Sequence, residues 1–224
     1  MRDNLGNPVW SGKPEFARGV LALDDCEGTF TYENSGTGGD DVHEYATAAA
    51  FTGLRGLRMK TRTTSAAADD TLACYKWIGM PESGLIVIRA KIALVAVAPV
   101  KSIGIDIRPN NGARQYLATL KSSPNTPKVE YRTTAGAFVE IATMAYNSLA
   151  LAFIDYEIVI DCRTMTYLSV AWNGIRADLK TIPLENVGAV AARQAAFGID
   201  LYAIGAAPAE VYLDNIYIGE YLDI

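Results

Sequence analysis

The chain has 224 residues, half of them apolar and a fifth charged, which is enough to bury the core of one large β domain. Its net charge of −5, from 20 Lys and Arg against 25 Asp and Glu, argues against a nucleic-acid-binding protein, which carries a basic patch. One histidine and three cysteines leave little material for a zinc site or a histidine-based catalytic centre.

Residues 1–19 show no steady hydrophobic period and read as an N-terminal arm, with Trp10 and Phe16 as its large apolar anchors for a partner. They contain no apolar stretch of signal-peptide type, so synthesis in a cytoplasm without export by the usual route is expected. From Val20 the period becomes two, the signature of strands. Val20–Leu23 is the first candidate, ended by the acidic segment 24–28, and a polar, glycine-rich loop follows over Asn34–Asp41. Strands are then predicted over Leu54–Thr63, Thr71–Ile78 and Leu85–Val97. The next has Ile103, Ile105 and Ile107 on one face and Asp106 and Arg108 on the other. Short strands follow at Ala113–Leu120, Lys128–Arg132 and Phe138–Ala142, separated by Asn-Gly, Pro-Asn-Thr-Pro and Ala-Gly turns. Tyr156, Ile158 and Ile160 alternate with Glu157, Val159 and Asp161, and a further strand runs from Met165 to Trp172. There Asn173-Gly174 signals a two-residue hairpin. A short helical turn is expected over Asn186–Gln194, and the last strands over Ala195–Ile204 and Glu210–Gly219. About a dozen strands with almost no helix predict an all-β, antiparallel jelly-roll sandwich over residues 20–224 as one domain.

His43 lies in an acidic stretch with no nucleophile signature near it and reads as a solvated loop residue. Cys26, Cys74 and Cys162 are widely spaced and read as buried, reduced thiols. The longest apolar run, Ile92–Val100, is far short of the ~20 residues of a membrane helix. Glycoside cleavage needs two carboxylates about 5–10 Å apart. No Glu is followed two residues later by Asp, so the Glu-x-Asp-x-x-Glu strand of retaining jelly-roll glucanases is absent. Glu157 and Asp161 share a strand face four residues apart and read as a solvated outer face. The chain is therefore expected not to be an enzyme. Asp24, Asp25 and Glu27 cluster at the end of the first strand and Asp214 interrupts the last one. Val211 and Leu213 have one parity and Ile216 and Ile218 the other, which predicts a bulge near Asp214-Asn215. If the first and last strands are neighbours, these carboxylates meet and supply oxygens for calcium; loop-capping acids without a metal are the competing reading. Among the aromatics, Trp77 and Trp172 are the candidate sugar-stacking platforms, with Tyr75, Tyr116 and Tyr131 also on strands.

Four segments in order, 155–161, 167–174, 178–184 and 211–218, the last containing Tyr212-Leu213-Asp214-Asn215, resemble the strands of a concanavalin A-like (laminin G-like) jelly roll. Leu23-Asp24-Asp25-Cys26-Glu27-Gly28 resembles the acidic start of such sandwiches, with Cys26 where Phe is usual. Within that group the chain looks like uncharacterised proteins of phage and prophage-bearing genomes, which share the short arm ending near Glu15-Phe16-Ala17-Arg18. The resemblance implies a structural calcium ion at Asp25, Glu27 and Asp214, after the carbohydrate-binding members. It also implies a non-enzymatic virion protein, a capsid decoration or accessory head or tail component. Its partners would be capsid or other virion proteins, in a homo-oligomer or larger assembly, with no nucleic acid and no membrane. The alternative is a carbohydrate-binding module that recognises glycans, on a host surface for instance.

Overall fold

Apolar side chains that alternate along a strand can be buried only if one face of each sheet is covered, and here two sheets cover each other. A computed structural model describes residues 20–37, 39–63, 70–78, 84–143, 151–189 and 195–221. Its strands are β1 (Val20–Asp24), β2 (Glu33–Gly36), β3 (Val42–Ala46), β4 (Gly56–Lys60), β5 (Thr71–Ile78), β6 (Leu85–Leu94), β7 (Val100–Arg108) and β8 (Arg114–Ser123). They continue as β9 (Lys128–Arg132), β10 (Phe138–Thr143), β11 (Ile154–Asp161), β12 (Thr166–Trp172), β13 (Ile175–Asp178), β14 (Glu185–Ala189), β15 (Ala195–Ala203) and β16 (Glu210–Glu220). The first sheet runs β13-β12-β11-β6-β16-β4-β3, with β1 also on β16; the second runs β10-β9-β8-β7-β15-β5-β2, with β14 also on β8. Every pairing is antiparallel, and the architecture is the expected jelly-roll sandwich. No helix among the described residues is long and apolar enough to cross a membrane.

Ile86, Ile88 and Ile92 of β6 and Tyr156, Ile158 and Ile160 of β11 face Ile103, Ile105 and Ile107 of β7 and Phe197, Ile199 and Leu201 of β15 in one core cluster. Two tyrosines tie the sheets together through that core. Tyr167 of β12 accepts a hydrogen bond from the Thr119 amide of β8 at 2.8 Å, and the Tyr156 hydroxyl meets Ser122. Each buried hydroxyl thereby finds a partner, which removes most of its desolvation cost. The β12–β13 hairpin turns on Asn173 and Gly174, both at positive φ (46° and 83°), as a two-residue turn matched to the strand twist requires.

The predicted bulge is present. Pairing of β16 with β6 slips between Asp214 and Tyr217, and Asn215 sits at φ 52°. Val211 and Leu213 before the slip and Ile216 and Ile218 after it all reach the same core. On its other edge β16 pairs with β4 through Glu210–Leu213 and with β1 through Ile216–Gly219, so the expected contact of first and last strands is made. Three local expectations need correction. Asn34–Gly36 belongs to β2, His43 to β3, and Asn186–Ala189 to β14 rather than to a helical turn. Their short length and polar composition hid the strand period, and partner strands supply the backbone hydrogen bonds that propensity does not.

Candidate ligand-binding face

The outer face of the second sheet is built from residues that alternate with the core-facing ones. Gly104, Asp106 and Arg108 come from β7, Gly198, Asp200 and Tyr202 from β15, and Ala73, Tyr75 and Trp77 from β5. Two copies of one short pattern meet here: Gly104-Ile105-Asp106-Ile107 and Gly198-Ile199-Asp200-Leu201. In antiparallel register Gly104 lies opposite Asp200 and Asp106 opposite Gly198, so each aspartate faces a glycine on the neighbouring strand. The bare strand lets the Asp106 carboxyl fold down onto the sheet. A Cβ at residue 198 would lie 2.2 Å from Asp106 Oδ1. Asp106 is 1% exposed, and its carboxyl lies against that of Asp200. Its Oδ2 accepts from Arg108 Nη2 at 2.9 Å and Nε at 3.2 Å.

Burial and charge set the protonation of this group. Burial raises the pKa of Asp106, against the Arg108 guanidinium, which favours the carboxylate. Burial, and next the charge of Asp106, pushes Asp200 up to about 7. Burial raises the Tyr202 phenol, and the two aspartates add to it. The close contact of the two carboxyls makes them a coupled pair whose protons belong to both.

Beside this pair a cavity of about 320 Å³ opens, lined by Ser35, Thr37, Thr71, Arg108, Asp200 and Tyr202, among others. Tyr202 is 39% exposed and Trp77, farther along the same face, 44% exposed. Trp77 stands edge-on to Tyr75 with 6.4 Å between ring centroids. Of the two predicted stacking platforms, Trp77 is therefore on the open face. Trp172 is not. It is 0% exposed and packs edge-on against Tyr156 inside the sandwich, because it stands with Val170 on the core side of β12. Tyr131 is core as well, whereas Tyr116 packs partly buried against it. The candidates Trp10 and Phe16 lie outside the described residues.

The acidic group at the bulge is organised differently from the expectation. Asp214 accepts the backbone amides of Phe51 at 2.8 Å and Thr52 at 2.7 Å on Oδ2 and that of Asn215 at 2.6 Å on Oδ1. Glu27 Oε1 accepts the amides of Leu54 and Arg55, and Asp25 Oδ1 accepts the Glu27 amide at 3.2 Å. Glu27 and Asp214 are close enough that the charge of Glu27, after burial, raises the pKa of Asp214. N–H donors thus converge on these carboxylates where a cation needs oxygens. Among the described residues no group of three or more His, Cys, Asp or Glu is placed to hold a metal ion. The donor set does not fit calcium; it ties the 51–55 loop to the sandwich. His43 pairs with Asp41 at 3.0 Å and packs on Phe30, and the three cysteines are buried free thiols.

No family model matches the sequence, and no curated protein does either. Solved structures do match. The chain is similar to the carbohydrate esterase of Shiga toxin-encoding bacteriophage phi24B (12% identity, TM-score 0.55, 84% of this chain and 90% of that one). It is also similar to peanut lectin (10%, 0.52, 92% and 100%) and to Bacillus licheniformis β-glucanase (12%, 0.50, 91% and 99%). These likenesses show the fold, which enzymes and lectins share. The expectation of a non-enzyme is overturned by this finding. The carboxyl pair that the sandwich does hold, Asp106 and Asp200, lies on two strands, beyond a motif confined to one. Apart from the phage source of the esterase, nothing in these comparisons bears on a virion role.

Proposed function

We propose that the chain binds a saccharide on the outer face of the second sheet. The observation that carries this reading is the convergence, at one cavity, of an exposed aromatic ring, a guanidinium and a carboxyl. Tyr202, Arg108 and Asp200 line the same space, and Trp77 extends the face. An apolar ring face for the C–H side of a sugar, with few fixed polar groups for its hydroxyls, is the composition of a small-molecule site. The lectin and the two glycan-acting enzymes that share the fold agree with this reading. It replaces the virion role, for which no such support exists.

A glycan-binding screen followed by titration of the best ligand tests it. Trp77→Ala and Tyr202→Ala are expected to weaken binding by about tenfold each, the worth of one stacked ring. Binding that neither substitution changes would overturn the assignment of this face.

A further inference from the structure

Resting on that reading, we infer that the saccharide carries a carboxylate, which Arg108 and Asp200, side by side in the cavity lining, hold together. Among the described residues, Arg108 is hydrogen-bonded to a single oxygen, Asp106 Oδ2, while its side chain is 42% exposed and lines the cavity. That leaves guanidinium N–H groups facing the cavity, in the planar array that matches a carboxylate. Asp106 lies beneath, and its orientation over Gly198 keeps it away from the ligand while it aims the guanidinium.

Asp200 decides which ligand is accepted. As a neutral carboxyl it donates one hydrogen bond and adds no charge, so the lining presents Arg108 to an anion. As a carboxylate it repels one. The charged groups around it set that balance, Asp106 and Arg108 on β7 and Arg132 on β9, with Tyr202 beside it on its own strand. At the rim, Asp70 is already held by Arg62 at 2.6 Å, so it does not compete for the guanidinium. Tyr75, farther along β5, is engaged by Glu33. Burial and the Asp106 charge keep Asp200 half-protonated near neutral pH. A neutral sugar would gain from the opposite state, because its hydroxyls donate to a carboxylate.

The test is calorimetric titration of the whole chain with tetragalacturonate and with cellotetraose, at about pH 5.5 and about pH 8.5. Tetragalacturonate is expected to bind about tenfold more tightly at the lower pH and to take up a fraction of a proton near pH 7, read from buffers of different ionisation enthalpy. Asp200→Asn, nearly isosteric, is expected to bind it equally at both pH values, and Arg108→Gln to lose it at both. Stronger binding of cellotetraose, or a pH dependence that survives in Asp200→Asn, overturns the inference and leaves the saccharide face standing. Failure of both probes, together with a negative glycan screen, removes the face itself.

Discussion

Replacing Gly198 by alanine tests the packing on which the candidate site depends. The added methyl group would sit 2.2 Å from Asp106 Oδ1 and 3.0 Å from its Cγ, against an ordinary contact of at least 3.4 Å. The carboxyl must therefore retreat by more than an ångström. It cannot do so freely, since it is 1% exposed and held by Arg108. Overpacking of this kind costs about 1–3 kcal/mol, and weakening a charge-assisted bond adds to it, so about 2–3 kcal/mol is expected. For a chain of this size that lowers the melting temperature by roughly 5–10 °C. The assay is urea unfolding of Gly198→Ala in the parent and in an Asp106→Ala background, where the clash has been removed. A coupling of about 1.5 kcal/mol or more is expected between the two sites. Equal cost in both backgrounds would refute the proposed seating of Asp106 over residue 198.

Trp172→Ala is expected to cost about 3–5 kcal/mol by urea unfolding, and Trp77→Ala less than about 0.5 kcal/mol, which separates the buried from the open ring. Asp214→Ala strands three backbone amides and should destabilise by about 2–4 kcal/mol, whereas EDTA should leave the melting temperature of the parent unchanged. Asp200 holds its proton up to about pH 7 in the fold but releases it near 3.8 when unfolded, so its contribution makes stability fall between those values as pH rises. Asp200→Asn removes that loss, and its urea midpoint relative to the parent should rise from about pH 4 to about pH 7.

The sandwich was legible because long strands with one buried face print a period of two. The Ile103, Ile105, Ile107 row did so, and the parity slip at Asp214 even located a bulge. The short edge strands β2 and β14 bury few residues and print almost nothing. Trp172 and Trp77 look alike in the sequence; only the register of β12 and β5 against the core tells them apart. The carboxyl pair was missed for a related reason. Asp106 and Asp200 are almost a hundred residues apart, and a search for two acids on one strand cannot see a pair made across a ladder. A signal was nonetheless present in the repeated Gly-Ile-Asp, which places small residues where two strands must let a carboxyl lie flat. The acidic start and closing Asp were rightly brought together, but spacing does not say that amides would reach them first.

The fork in β16 divides one edge of a central strand between two neighbours. Glu210–Leu213 are closed by β4, and Ile216–Gly219 by β1. If β1 peels away, only the lower half of that edge loses its cover, and the upper half stays zipped. The exposed stretch is then a short template of unsatisfied N–H and C=O groups, open to any extended peptide that matches its register. Strand exchange in this molecule would begin at that half-edge, and the bulge fixes where it stops.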